Sequence, residues 1–273
     1  MNFLFWNIKS KNNFLSTIQN VVSEEDVDVV AFAEFPSGHE RTFENNLQQI
    51  DKQFKYLFPI KPGKIELFYR SGCLNIVNAY DGERIRMFKI FSSVDKMTYQ
   101  LVFCHIWSKF NVPKQQLYHM VPSIVSEISH QEEYENNRRT IVCGDFNMDT
   151  YEDGMLLNNG FNAMMTENIA KLQTRRVMKQ DYSMFYNPMW GLYGDVHGST
   201  VAGTYYYRAS FPIHQYWHML DQVIMRPDVI PVFDKQALKI VAKGKTYSLL
   251  NNKGIIDQRN YSDHLPIKFK LNI

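Results

Sequence analysis

The sequence predicts an α/β fold in which two β-sheets pack face to face and helices cover the outside. Uninterrupted apolar runs at residues 2–8, 28–32 and 141–143 are typical of strands that are buried on both faces. Helical patterns follow the first two of these runs. Between residues 56 and 103, short apolar runs alternate with turn residues, which indicates an antiparallel meander. Strands followed by helices, together with a meander, therefore favour two packed sheets.

The elements of the first half are predicted from apolar spacing. They are, in order, a strand at residues 2–8, a helix at 14–22, a strand at 28–32, a short helix at 43–50 and meander strands at 65–69, 74–77, 85–91 and 99–103. Asp81 and Gly82 form a hairpin signal between two of the meander strands. We therefore expect the chain to turn back on itself at that dipeptide.

The second half contains fewer regular elements. Pro113 opens a helix that extends to about residue 128, and strands are predicted at 141–143, 217–225 and 267–271. We expect Gly144 to make the sharp turn that ends the strand at 141–143. The segment from about 165 to 216 lacks periodicity and is rich in aromatic residues, which argues against disorder.

Length and composition indicate one globular domain, residues 1–273, with the aromatic-rich segment as an insertion. The formal net charge of +2 is too small to indicate nucleic-acid binding through overall charge, and it leaves the partner open. Cys73, Cys104 and Cys143 each fall within an apolar run, so we expect them to be buried and reduced. No signal peptide or membrane span is evident, and this predicts a cytoplasmic protein.

Polar residues recur where the predicted strands end. They are Asn7, Glu34, His105, Asp145, Asn147, Asp221, Asp263 and His264. Taken singly, each has an ordinary structural explanation: Gly-Asp-x-Asn is a common turn, and a lone histidine or glutamate in a loop is usually structural. Asp221 differs because it interrupts an apolar strand, and a buried acid needs a partner. Together, these residues predict one functional site at the ends of the strands.

These motifs, in this order, resemble those of the endonuclease/exonuclease/phosphatase superfamily, which has the DNase-I-like fold. The matching stretches are Trp6-Asn7, Ala33-Glu34, His105, Gly144-Asp-Phe-Asn147, Leu220-Asp221 and Ser262-Asp263-His264. The resemblance implies a four-layer α/β sandwich, with two mixed β-sheets face to face and helices outside. It also implies hydrolysis of a phosphate ester with a divalent cation, magnesium or alternatively manganese.

The resemblance also implies a role for each residue of the site. Glu34 would be the principal metal ligand, supported by Asn7 and Asp263. Asp145 and Asn147 would orient the attacking water and hold a phosphate oxygen.

The same resemblance implies roles for the two histidines. His264 would act in proton transfer and His105 would stabilise negative charge, while Asp221 would hydrogen-bond to His264 and favour its imidazolium. Glu66 could pair with His105, although an outward-facing strand residue is the simpler interpretation of that glutamate.

The substrate is open at this stage. A nuclease is the first hypothesis, because the aromatic segment offers stacking surfaces at Trp190 and Tyr206 beside the basic residues Arg175 and Arg176. The alternatives are a phosphatase or phosphodiesterase for a small molecule or lipid headgroup, and a catalytically inactive binding module. The aromatic segment could instead be an internally packed covering layer.

Overall fold

The structure is a computed structural model that describes residues 1–72, 75–109, 112–194 and 201–273. Within these ranges the strands are β1 Asn2–Asn7, β2 Val29–Ala33, β3 Phe54–Leu57, β4 Ile65–Arg70, β5 Asn75–Asp81, β6 Ile85–Phe91, β7 Thr98–His105, β8 Thr140–Asp145, β9 Ala163–Met164, β10 Thr174–Val177, β11 Gln180–Ser183, β12 Phe185–Tyr186, β13 Tyr205–Tyr206, β14 Trp217–His218, β15 Asp221–Met225, β16 Phe233–Ile240 and β17 Ile267–Leu271. The α-helices are α1 Leu15–Glu24, α2 Glu40–Ile50, α3 Lys114–Tyr134, α4 Asp153–Leu156 and α5 Glu167–Ala170, and 3-10 helices cover Pro188–Leu192 and Pro227–Val232.

Most of these strands form two mixed sheets. The first sheet has the strand order β16-β17-β1-β2-β4-β3, in which β1 and β2 are parallel. The second sheet has the order β5-β6-β7-β8-β15-β12-β9, in which β7 and β8 are parallel. Two further hairpins, β10-β11 and β13-β14, lie outside the sheets. In each sheet a parallel pair therefore brings two strand ends to the same edge.

Alternation along the strands divides the core into layers. On β1, Phe3 and Phe5 pack between the two sheets, whereas Leu4 and Trp6 pack against the first sheet's helices. The other face of the second sheet packs against α3 through a separate cluster that includes Leu117. The layers are thus helix, sheet, sheet and helix, and the predicted four-layer sandwich is confirmed.

The helices form where apolar residues repeat at helical spacing. Ile18, Val21 and Val22 make the buried side of α1, while Phe43 and Leu47 make that of α2. The predicted helix after Pro113 is also present, since α3 begins at the next residue. These helices cover the outer faces of the sheets and leave the strand ends open.

The structure corrects two predicted elements. The predicted meander is divided between the sheets: β3 and β4 belong to the first sheet, and only β5, β6 and β7 form a continuous meander in the second. Its predicted strand at 74–77 begins at residue 75 in the structure, and Cys73 and Leu74 lie outside the described residues. The predicted strand at 217–225 is two strands, β14 and β15, because β14 pairs with β13 while β15 pairs with β8.

Gly144 is part of β8 and does not make the turn that the sequence predicts. It pairs with Cys104 on one side and with Gln222 on the other. A Cβ at residue 144 would lie 2.0 Å from the carbonyl oxygen of Cys104. Glycine is therefore required by the close approach of β7, which lets β8 carry Asp145 to the edge of the sheet.

The two described cysteines agree with their predicted state. Cys104 and Cys143 are free and fully buried, and burial raises the pKa of both thiols well above the usual range. Among the described residues, no helix has the length and apolar character needed to cross a membrane.

We expect Gly144→Ala to lower the free energy of unfolding by about 2 to 3 kcal/mol, because the added methyl group overlaps backbone that cannot move independently. Urea denaturation followed by circular dichroism measures this change. Gly191→Ala is the matched control, since a Cβ at that position would meet nothing within 4 Å. Equal stability of the two variants would contradict the steric explanation.

Candidate active site

The alternation that builds the core also sets the direction of the polar residues. Asp145 continues the series of Ile141 and Cys143, which face the space between the sheets. Asn7 continues the series of Phe3 and Phe5 in the same way. The ends of the two sheets therefore point polar side chains into one shared space at the edge of the inter-sheet core.

The carboxylate of Asp145 is the centre of this group. It accepts hydrogen bonds from Asn7 Nδ2 at 3.0 Å and from the backbone N–H of Asn147 at 2.8 Å. His105 Nε2 and His264 Nε2 lie 3.8 Å and 3.9 Å from Asp145 Oδ2. The residue is 1% exposed, so its charge is held by these neighbours and not by bulk water.

Glu34 joins the group from the end of β2. Its Oε1 accepts a hydrogen bond from Asn7 Nδ2 at 3.0 Å and lies 3.6 Å from His105 Nε2. The backbone at Glu34 has φ 49°, a left-handed conformation that is uncommon for a non-glycine residue. This local change of direction places the glutamate at the mouth of the site, where its side chain is 39% exposed.

The imidazole of His264 is paired with a buried acid. His264 Nδ1 lies 2.7 Å from Asp221 Oδ2, and Asp221 is fully buried. Burial alone would lower the pKa of His264, but the carboxylates of Asp221 and Asp145 more than offset it and raise that pKa to about 10. His264 is therefore an imidazolium at neutral pH, as the acid within the apolar strand indicates.

Asn147 is held in a turn and not in an extended segment. Its φ is 52°, and its side-chain Nδ2 donates to the carbonyl oxygen of Ile106 at 2.9 Å. The donated hydrogen bond fixes the amide, so Asn147 Oδ1 is the atom left for a ligand. Asp145 and Asn147 are thus brought together by a turn and not by strand alternation.

Asp263 follows a different pattern. Its Oδ2 lies 2.5 Å from Lys9 Nζ. The adjacent Ser262 hydroxyl donates to the carbonyl oxygen of Asn7 at 2.6 Å and accepts from the backbone N–H of His264 at 3.1 Å. This serine therefore connects the loop that carries Asp263 and His264 to β1.

The donor set suits a hard divalent cation. Glu34 and Asp145 each place a carboxylate oxygen 3.0 Å from the same amide nitrogen of Asn7, so two negatively charged oxygen donors converge on one point. Asp145, Asp221 and His264 also offer ligand atoms within 4.8 Å of one another. Because Asp221 and His264 are occupied with each other, the pair of Glu34 and Asp145 is the better candidate.

Asn7 is turned so that it supports the carboxylates rather than coordinating an ion. Its Oδ1 accepts the backbone N–H of Lys9 at 3.1 Å, and its Nδ2 faces Glu34 and Asp145. An amide nitrogen is not a metal ligand, so direct coordination by Asn7 requires the amide to flip.

The predicted substrate-binding residues do not join this cluster. Arg175 and Arg176 lie on the β10-β11 hairpin, whose base is tied to Arg138 through Ser183 at 2.9 Å. Arg138 precedes β8, whereas Asp145 ends it, so the hairpin base lies at the opposite end of the strand. Arg176 is paired with Asp181 at 2.7 Å.

The two predicted stacking residues are half-buried and pack against other aromatic rings. Trp190 contacts the rings of Tyr151 and Tyr193 at centroid distances of 6.4 Å and 6.1 Å. Tyr206 packs against Trp217 at 5.2 Å, on the outer side of the first sheet. Both residues therefore have aromatic partners within the protein, and among the described residues neither ring contacts Asp145 or the two histidines around it.

Tyr205, next to Tyr206, lies against His264, with ring centroids 4.9 Å apart. Sequence reasoning missed a second acid–histidine pair. Asp149 is 1% exposed, and its Oδ2 lies 2.8 Å from His218 Nδ1. Asp149 follows the Gly-Asp-Phe-Asn motif by two residues, which is the one sequence signal for its position.

A model of the endonuclease/exonuclease/phosphatase family matches residues 4–264. The chain belongs to this family. The match covers nearly the whole sequence and includes every residue of the cluster from Asn7 to His264. Membership confirms the resemblance and makes the chain one of a superfamily of metal-dependent phosphoesterases. A search of curated proteins found no match.

Solved structures of the same superfamily share the fold. The chain is similar to Danio rerio TDP2 complexed with a single-strand DNA product (13% identity, TM-score 0.58, coverage 100% of this chain and 99% of the other). A Bacteroides thetaiotaomicron mannosyl-6-phosphatase matches at 13% identity and TM-score 0.58, with 99% of each chain covered. A Neisseria 3' phosphatase bound to a product DNA hairpin matches at 13% identity and TM-score 0.56, with 100% of each chain covered. At these identities the similarity shows the fold alone.

We expect Asp221→Asn to lower the pKa of His264 by at least about one unit, because the nearest compensating charge is removed. In the native protein the His264 imidazolium stabilises the folded state fully at pH values below the ordinary pKa of histidine. That stabilisation is lost as pH rises through about 10, the pKa of His264 in the folded protein. In the variant the loss begins at lower pH. Imidazole NMR titration measures both midpoints, with the exposed His130 as an internal control; an unchanged His264 midpoint would contradict the assignment.

Proposed function

We propose that the protein is a divalent-metal-dependent phosphodiesterase that cleaves nucleic acid, with magnesium as its cation and manganese as an alternative. The observation that carries the proposal is the convergence of Glu34, Asp145, His105 and His264 at one mouth between the sheets. Two carboxylates and two imidazoles in contact distance match the needs of phosphate-ester hydrolysis, which requires a cation and hydrogen-bond donors for a charged phosphoryl group.

Glu34 and Asp145 would hold the metal, with Asn7 supporting both carboxylates. When bound, the cation neutralises negative charge on the phosphoryl oxygens and the leaving group. Asp263 remains a proposed contributor, which would first have to exchange its contact with Lys9 for one with the cation.

The protein groups around the phosphate have separate tasks. The imidazolium of His264, held by Asp221, would donate a proton or hydrogen bond from Nε2 to a phosphate oxygen. His105 would face the phosphate from the second sheet and stabilise the negative charge that develops. Asp145 and Asn147 would orient the attacking water, since Asn147 Oδ1 remains for that contact.

A polar cavity beside the cluster has room for a substrate larger than an isolated phosphate. It has a volume of about 520 Å³ beside Glu34 and His105, and its lining includes the cations Lys64 and Arg84 and the carboxylate of Glu66. The guanidinium of Arg84 lies 4.4 Å from the ring centroid of Trp107, which fixes a basic group and an aromatic face together. Flanking phosphates of a nucleic acid would find these groups without Arg175 or Arg176.

We expect Asp145→Asn to lower kcat/KM by at least about 100-fold, because the variant loses both a metal ligand and a group that orients the attacking water. Hydrolysis of single- and double-stranded DNA, RNA, bis-p-nitrophenyl phosphate, sugar phosphates and phosphoinositides would be measured with magnesium, with manganese and with excess chelator. Asp153→Asn, an exposed carboxylate outside the cluster, is the matched control.

The outcomes separate the three functional hypotheses. Metal-dependent cleavage of nucleic acid that Asp145→Asn abolishes supports the proposal. Hydrolysis confined to sugar phosphates or phosphoinositides indicates the small-molecule or lipid-headgroup alternative. Full activity in excess chelator contradicts the metal role. The absence of hydrolysis under every condition indicates the catalytically inactive binding module.

A further inference from the structure

A second, smaller cavity lies next to Asn147. Its volume is about 180 Å³, and its lining includes Asn147, Tyr205, Tyr207, His218 and Leu220. Pockets for drug-sized ligands usually measure about 300 to 1,000 Å³, so this one suits one small planar group rather than a drug-sized ligand. Because Asn147 belongs to the catalytic cluster, a group attached to the scissile phosphate can reach the cavity.

Strand alternation explains why two tyrosines line this cavity and the one between them does not. Tyr205 and Tyr207 are two residues apart, so their side chains lie on the same face of the β13-β14 hairpin. The pairing continues past β13, since the backbone N–H of Tyr207 donates to the carbonyl oxygen of Tyr216 at 2.9 Å. Tyr206 lies on the opposite face and packs against Trp217. The hairpin thus presents two phenol rings to one cavity.

A buried carboxylate fixes the imidazole in the same cavity. Asp149 accepts hydrogen bonds from the backbone N–H of Met219 at 2.7 Å and from Gln215 Nε2 at 3.2 Å, and it lies 2.8 Å from His218 Nδ1. With Nδ1 engaged, Nε2 is the ring nitrogen of His218 that remains for a ligand. The cavity therefore combines aromatic faces with an oriented imidazole and with the polar side chains of Ser108, Lys109 and Asn147.

We propose that this cavity binds the base of a nucleotide unit attached to the scissile phosphate. Tyr205 and Tyr207 contact the ring, and His218 hydrogen-bonds to its edge. The assignment rests on the proposed function and adds to it a subsite for the base beside the scissile phosphate. Stacking on an aromatic ring accepts any base, and one imidazole discriminates only partly between the hydrogen-bonding edges of different bases. We therefore expect a modest preference among bases.

Equilibrium binding tests the assignment independently of turnover. Isothermal titration calorimetry would compare 3'- and 5'-adenosine monophosphate with ribose 5-phosphate and with inorganic phosphate. We expect at least one of the nucleotides to bind about tenfold more tightly than ribose 5-phosphate, a ratio within the range of a single base–aromatic stack. Equal affinities of the nucleotides and ribose 5-phosphate would overturn the proposal.

Two variants connect that affinity to the cavity. Tyr207→Ala and His218→Ala are each expected to reduce the nucleotide's advantage over ribose 5-phosphate by about fivefold or more. Tyr207 is 37% exposed, so its replacement is compatible with folding, which a thermal melt verifies. The matched controls are Tyr134→Ala and His130→Ala on the exposed side of α3. If the variants bind nucleotides as their controls do, the assignment is wrong.

Kinetics separate this inference from the proposed function. In Tyr207→Ala, the factor by which KM for a nucleotide ester rises should be about five times the factor by which kcat falls. The reason is that the ring contacts exist in both the bound ground state and the transition state. Intact hydrolysis without base discrimination refutes only the cavity assignment. Base-dependent binding without any hydrolysis by the wild type supports the cavity and refutes the phosphodiesterase.

Discussion

The carboxylate of Asp145 connects the two sheets at their open edge. It accepts a hydrogen bond from Asn7, on the first sheet, and lies within 4 Å of His105 on the second and of His264 in the loop before β17. Burying a charge costs free energy unless neighbouring groups compensate it. The charge of Asp145 in turn helps to position each of these neighbours. Removing Asp145 would therefore disturb the whole cluster and not one contact.

The fold supplies this arrangement through strand direction. The parallel pairs β1-β2 and β7-β8 end at the same edge, and β15 begins there beside Asp145. Alternation then turns the last residues of these strands into the space between the sheets. Gly144 contributes by its missing side chain, because any Cβ would push β8 away from β7. The chemistry of the site thus depends on sheet packing as much as on the polar residues.

Strand-end positions made much of the site predictable, because apolar runs and the polar residues after them are both local signals. The hairpin positions were not predictable in this way: whether Tyr205 or Tyr206 faces a cavity depends on pairing with β14, which local composition does not specify. Asp149 and His218 lie 69 residues apart and meet only through the fold of the segment between them. The edge strand β16 was missed because its charged positions obscure the alternation.

An anomalous difference map from crystals grown with manganese tests the proposed metal site. We expect one peak between Glu34 and Asp145, with carboxylate oxygens at about 2.0 to 2.3 Å, and its loss in Asp145→Asn. A peak between Asp221 and His264 would show that the metal displaces their ion pair. This result would contradict the assignment of separate positions to the metal and to the imidazolium. A manganese-saturated crystal without a peak at the mouth of the sheets would contradict the metal site itself.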